Sequence, residues 1–320
     1  MRSFTIGKND CGQRLDKFIS KAMPKIPSSL VYKSIRTKKI KVNRKRATPS
    51  QILLEGDSLQ LFLPEEFFDV ADNVSGTKTL EAVRADIDVI YEDRNIILVN
   101  KPADVPVHED DSNNNNNLIV YIQSYLYKKG EYSPLDENSF SPALCNRIDR
   151  NTSGIVIAAK NAEALREMNA LIKERSISKF YLAAVHGIME KKSDTLTAYL
   201  VKNEKTNTVK VFDDARPGTK KIVTKYRTLA EKNGLSLIEA ELVTGRTHQI
   251  RAHMAHIGHP LLGDGKYGIN RKDRDMGYKH QALCSYRLVF GNYSSDSFFH
   301  YLSGREFSVP ENRVYFLSLF

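Results

Sequence analysis

Apolar positions recur along this chain with two periods, and the change of period marks its elements. Leu15, Phe18 and Ile19 fall at helical spacing after Gly12. Ser28 or Ser29 can cap a second helix that carries Val31 and Ile35. Ile40 to Asn43 reads as a short strand running into a basic turn, and Gly56-Asp57 punctuates the chain before a strand from Ser58 to Leu63. Strand candidates follow at Val89 to Asn100, Ile155 to Ala159, Phe180 to Val185, Lys221 to Leu229 and Leu235 to Leu242. Asn161 can cap a helix bearing Leu165, Met168, Leu171 and Ile172, and Thr247 opens another with Ile250, Met254 and Ile257. Many strands with few helices between them predict an α+β protein with a largely antiparallel sheet.

A chain of 320 residues is expected to form two domains. The pattern divides it into a small α/β module at 1–63, a linker at 64–86 and a larger unit at 87–320. The linker contains Pro64 and Gly76 and carries a net charge of −4, a composition that suits a mobile tether. Asn113 to Asn117 reads as a tolerated surface loop, and Lys266 to Lys279 as a charged, glycine-containing one. No apolar run approaches the roughly 18–20 residues of a membrane span, and Met1 to Gly7 lack the apolar stretch of a signal peptide. No membrane association is expected. The cysteines (Cys11, Cys145 and Cys284) are odd in number and widely spaced, which points to a reducing cytoplasm. No heptad pattern is visible, and a monomer is the expectation.

Charge changes the picture more than composition does. The formal net charge is +10, and all of it is accounted for by residues 1–63, where 14 Lys and Arg face 4 acids. A basic module joined to a charge-balanced unit points to a polyanion held at one end. Lys33, Arg36, Lys38, Lys39, Lys41 and Arg44 would offer phosphate contacts, which position a nucleic acid without reading its sequence. The plainer alternative is a solvated basic surface.

The richest chemistry lies in Cys145-Asn146-Arg147-Ile148-Asp149-Arg150-Asn151-Thr152-Ser153-Gly154. A carboxylate among fixed cations stays ionised and can act as nucleophile or base, while the same cations can grip a phosphate backbone. A surface ion pair of Asp149 with Arg147 or Arg150 is the structural alternative. The segment resembles the H-R-L-D-R-x-T-S-G motif of the RluA-type RNA pseudouridine synthases, with Asn146 where that family usually has histidine. Ile90 to Pro102 resembles the family's first block; Leu242 to His253 and Gly258 to Asp264 resemble its last. The resemblance spans about residues 87–320. Residues 12–63 separately resemble the S-four RNA-binding module, through R-L-D near the start, K-I-K-V-N in the middle and G-D before the last strand.

These resemblances imply an S-four-like domain followed by a mixed, largely antiparallel catalytic domain. They imply conversion of uridine to pseudouridine in RNA, in the manner of the bacterial branch acting on large-subunit ribosomal RNA. That reaction breaks the glycosidic bond, turns the uracil and rejoins it through carbon 5, so no redox change and no cofactor is implied. The nucleophile would be Asp149, attacking carbon 6 of uracil or carbon 1 of the ribose. Arg251 would be its paired cation. Tyr181, in a K-x-Y strand, would stack on the uracil near the carbon 5 proton. Arg147 would fill the place vacated by the extruded base, and Arg246 would hold a phosphate or the target loop.

Two other readings fit some of these residues. A chain with this fold and Asn146 in place of histidine could bind RNA without isomerising it. His248, His253, His256 and His259 could instead hold a zinc ion, although no HExxH pattern accompanies them.

Overall fold

A computed structural model describes residues 1–68, 71–83, 86–108, 116–268 and 270–320, with the backbone alone described for 71–76 and 270. In chain order the N-terminal unit contains β1 (Arg2–Thr5), α1 (Leu15–Ala22), α2 (Ser28–Arg36), β2 (Ile40–Val42), β3 (Lys45–Arg46) and β4 (Ser58–Leu61). Its four strands pair in the order β1-β4-β2-β3. Leu15, Phe18 and Ile19 of α1 and Val31 and Ile35 of α2 are buried against them, as their spacing predicts. The cap of α2 differs: Pro27 is its N-cap residue, and the helix starts at Ser28 without a side-chain cap bond. Proline fixes φ and has no N–H to leave unpaired, so it suits a helix start.

The segment expected as a tether carries a helix, α3 (Ala71–Ala82). Its Leu80 is buried, and the Leu80 carbonyl accepts from Ser124 Oγ at 2.6 Å. Then come β5 (Asp88–Glu92), β6 (Ile96–Lys101), α4 (Leu118–Lys128), β7 (Ala143–Leu144) and β8 (Ser153–Ala159). The stretch from Val89 to Asn100 is therefore a hairpin of two strands. Of the asparagine run, 113–115 lie outside the described residues, and Asn117 is the N-cap of α4, accepting from Val120 N at 3.1 Å.

The chain continues through α5 (Ala162–Lys173), β9 (Ile177–His186), β10 (Ser193–Asn203), β11 (Thr208–Phe212), β12 (Lys220–Lys232) and β13 (Leu235–Leu242). It ends with α6 (Gln249–His256), α7 (Asn270–Asp275), β14 (Leu283–Phe290) and β15 (Glu306–Ser308), with short 3-10 turns between and after them. The central sheet has 11 strands, with the path β11-β10-β12-β13-β9-β14-β8-β6-β5, β7 beside β8 and β15 beside β14. Every pairing is antiparallel except β14 with β8. The class is α+β.

Successive residues of a strand face opposite sides, and β8 shows it. Ile155, Ile157 and Ala159 join the core under α5, whereas Val156 and Ala158 join the core under α4 and α6. Gly154, the second residue of this strand, has φ +113°, and a Cβ there would stand 2.3 Å from Ser285 O. Only glycine allows β8 and β14 to approach so closely just after the Arg147–Asp149 segment.

The two sheet units touch through polar groups. Asp10, 2% exposed, accepts from Asn138 Nδ2 at 2.7 Å and Ser139 Oγ at 2.6 Å. Asn9 Nδ2 donates to Glu137 at 2.6 Å, and Asn9 Oδ1 accepts from Ala162 N at 3.2 Å. Among the described residues no helix is long and apolar enough to cross a membrane.

Candidate functional site

Three separate stretches of chain meet at a cavity of about 590 Å³. The first is the loop 145–152 between β7 and β8. Cys145 N donates to Ile157 O at 2.8 Å, and Asn146 Oδ1 accepts from Ile157 N at 2.8 Å. Both backbone groups of one β8 residue thus fasten the loop, and Ile148 is buried beneath it. A third tie comes from Lys101, which is fully buried; its Nζ donates to Arg150 O at 2.7 Å, Pro102 O at 2.7 Å and Val105 O at 2.9 Å. Burial pulls the Lys101 pKa down to about 7, against the opposing pull of the Asp149 and Asp104 carboxylates.

Asp149 stands on this loop with its side chain 27% exposed. Its Oδ2 accepts from Arg251 Nη1 at 2.8 Å, with His248 Nε2 at 3.8 Å. The partner is Arg251, as the resemblance implies; Arg150 instead bonds Asp104, at 3.2 Å. Arg251 projects from α6, the second stretch, and is itself held by Asp264, whose Oδ2 and Oδ1 accept from Nε at 2.7 Å and Nη2 at 2.9 Å. Burial opposes charge on this guanidinium, but the Asp264 and Asp149 carboxylates prevail and raise its pKa. A bidentate pair fixes the plane of the guanidinium and so aims the remaining nitrogen at Asp149. Asp264 was not among the residues singled out for the site. Its position in Gly263-Asp264-Gly265 gave no sign of a partner in α6.

Helix α6 begins two residues later than its pattern predicts, because His248 adopts φ +52° and ends the preceding turn. Its ring packs on Tyr267 and bonds the Tyr267 hydroxyl at 2.9 Å. Burial pushes the His248 pKa down to about 4, which leaves a neutral ring beside Asp149. Tyr267 belongs to the 266–279 stretch, so part of that charged segment lies at the site. The other histidines of the cluster diverge: His253 contacts Thr224, His256 contacts Asp213, and His259 contacts His186 O. Among the described residues no group of three His, Cys, Asp or Glu is arranged to hold a metal ion.

The third stretch is β9, which places Tyr181 in the cavity wall at 6% exposure. Burial raises its pKa to about 12, so it presents a neutral phenol at physiological pH. Arg147 and Arg246 are exposed and line the same cavity. Lys173, Arg175 and Lys179 line it too, and none was singled out from the sequence beyond the K-x-Y pattern that contains Lys179. The basic residues of the N-terminal unit lie elsewhere: Lys33, Arg36, Lys38, Lys39 and Arg44 are exposed, and half-buried Lys41 lies over the Phe62 ring at 5.5 Å.

The cavity thus holds a carboxylate clamped by a buried arginine, with a tyrosine in its wall. Residues 95–256 match the RNA pseudouridylate synthase family and residues 13–59 the S4 domain. The chain belongs to the RNA pseudouridine synthase family, whose members are isomerases, and carries an N-terminal S4 domain. It is 34% identical over 304 residues to an uncharacterised RNA pseudouridine synthase of Mycoplasma genitalium, covering 92% of this chain and 91% of that one. It is 32% identical over 297 residues to ribosomal large subunit pseudouridine synthase C of Vibrio parahaemolyticus, covering 91% and 89%. Among solved structures, human RNA pseudouridylate synthase domain containing 4 shares the fold, with a TM-score of 0.56 at 20% identity over 77% of this chain and 96% of that one.

Proposed function

We propose that this isomerase converts specific uridines of large-subunit ribosomal RNA to pseudouridine, with Asp149 as the nucleophile. The observation that carries the assignment is the Arg251–Asp149 contact at 2.8 Å, in a cavity wide enough for a nucleoside. The target is supported by the synthase C relatives, whose likeness runs through most of both chains.

In this reading the RNA gives up a uridine from its stack, at a cost of a few kcal/mol that favours loops. Arg147 and Arg246 at the rim meet the surrounding RNA, and Arg147 takes the vacated place. The uracil lies against the ring of Tyr181. Arg251 keeps Asp149 ionised and aimed, and Asp264 keeps Arg251 in plane. The carboxylate bonds to carbon 6 of the uracil or carbon 1 of the ribose and the bond from nitrogen 1 to the ribose breaks; the base turns, carbon 5 bonds to carbon 1 of the ribose, the carboxylate is released, and carbon 5 gives up a proton while nitrogen 1 gains one. Atoms are conserved and no electrons are gained or lost. The exposed cations of residues 1–63 hold RNA at a distance from the chemistry, as phosphate contacts that position without specifying.

The test is tritium release from ribosomal RNA labelled at uracil carbon 5. Release by the wild type and a loss of at least a thousandfold with Asp149→Asn are expected, on the order of 4 kcal/mol of barrier. An RNA that is bound without any release would favour the binding-only reading.

A further inference from the structure

The cavity holds cations that this chemistry leaves unused. Six Lys or Arg line it against one carboxylate, Asp149. Arg251 is committed to that carboxylate and to Asp264. Arg147 and Arg246 come from the two signature segments. The other three, Lys173, Arg175 and Lys179, gather where α5 turns into β9. Among the described residues none of the three has an ion pair or a side-chain hydrogen bond.

Their setting is fixed. Ser176 N donates to Leu171 O at 2.9 Å, and Ser176 O accepts from Gly291 N at 2.8 Å and from the Tyr293 hydroxyl at 3.0 Å. Arg175 follows the C-cap of α5 with φ +60°, a position where glycine is the usual residue. A side chain there is retained at a backbone cost of about 1–2 kcal/mol, which invites a functional explanation. Lys179 and Tyr181 lie two residues apart on β9 and leave the strand on one face. Burial lowers the Lys179 pKa, and no nearby anion offsets it. The cavity therefore has a concentration of positive charge beside the tyrosine that awaits an anion.

We propose that Lys173, Arg175 and Lys179 form a site for a backbone phosphate of the RNA strand next to the nucleoside that enters the cavity. The placement rests on a uridine lying against Tyr181. An extruded nucleotide brings its own phosphates with it, so an anion arrives there together with the base. The far end of α5, about 17 Å away at 1.5 Å per residue, meets the N-terminal unit: Arg166 Nη1 donates to Cys11 O at 3.3 Å, and Glu163 pairs with Lys8 at 3.8 Å. A strand leaving the phosphate site along this helix would run toward the basic S4 domain.

The experiment measures binding of a single-stranded oligouridylate to full-length protein over a series of salt concentrations. Each lost phosphate contact on a single strand reduces the slope of log affinity against log salt by about 0.7. Lys179→Gln, and Lys173→Gln with Arg175→Gln, are each expected to lower the slope by up to about that amount, because the three cations share one phosphate. Lys179→Arg should keep the wild-type slope, because it preserves the charge. Unchanged slopes in the glutamine variants would overturn the site. So would an equal loss in Lys179→Arg, since the effect would then be one of packing. Tritium release from ribosomal RNA is measured in parallel. A wild type with the expected slopes and no release would refute the roles given to Asp149 and the ribosomal target, while leaving the phosphate site standing.

Discussion

Asn146 occupies the position of a family histidine, and its amide oxygen is engaged by Ile157 N. An imidazole nitrogen can accept the same bond, so the two residue types share a capacity even though only histidine can carry charge. Asn146→His is predicted to keep the stability of the wild type. Asn146→Ala leaves a backbone N–H unpaired in the sheet and should cost about 1–3 kcal/mol. Urea unfolding of the three chains reads both values; an alanine variant as stable as the wild type would dismiss the anchoring role. Lys101 has the same character. Its distant acceptor, Arg150 O, lies 49 residues away along the chain. Contacts of that kind leave no trace in local pattern, and neither residue's role could be read there.

At the scale of elements, α6 brings Arg251 and His253, two residues apart, into the interior, one charged and the other neutral. Arg251 has two carboxylates, whereas His253 has only the Thr224 hydroxyl, at 3.1 Å. Burial, with a smaller contribution from His256, holds the His253 pKa near 4. In the unfolded chain it returns to about 6.5. The unfolded state therefore takes up a proton first as the pH falls from 6.5 to 4, and the fold loses stability across that window. His248 acts in the same direction. His253→Gln should make the decline shallower, by as much as about 1.4 kcal/mol per pH unit where one proton is involved. Unfolding free energies measured from pH 4 to 6.5 decide this, and parallel curves for the two chains would refute it.

Elements rich in buried residues or opened by a capping side chain were the legible ones. β13 spans Leu235–Leu242, the range its sequence predicts, and Asn161 caps α5 through its bond from Ala164 N at 2.8 Å. β10 escaped notice because most of its residues are exposed or half-buried, and only Ala198 and Leu200 of its alternating Leu196, Ala198 and Leu200 are fully buried. The hairpin from Val89 to Asn100 read as one strand because Asp93 makes its turn by accepting from Asn95 N at 2.6 Å and Ile96 N at 2.9 Å, a local bond rather than a glycine or proline signal.

The whole molecule assembles its candidate site from residues 149, 181, 251 and 264, which only the central sheet and the helix packed on it bring together. Motifs were enough to nominate Asp149, Tyr181 and Arg251. They did not reveal Asp264 as the support of Arg251, nor the lysines and arginine at the α5–β9 turn. Charge was legible at this scale as well: the surplus in residues 1–63 is on the surface, with Lys33, Arg36, Lys38, Lys39 and Arg44 all exposed. Removing residues 1–63 is predicted to weaken RNA binding and flatten its salt dependence, because counterion release scales with phosphate contacts. An unchanged slope after the deletion would place the electrostatic grip elsewhere.

The junction between the two units is held by a few polar side chains around Asp10, Asn9 and Gln13. Bonds like these exchange readily with water and give each partner little reason to find the other in dilute solution. Covalent continuity, with α3 docked on the larger unit through buried Leu80, supplies what the surface does not. Surface complementarity therefore constrains the N-terminal unit only lightly. Matching a handful of side chains would let a different RNA-binding head be grafted onto the same catalytic body, redirecting which RNA is delivered while the cavity stays as it is.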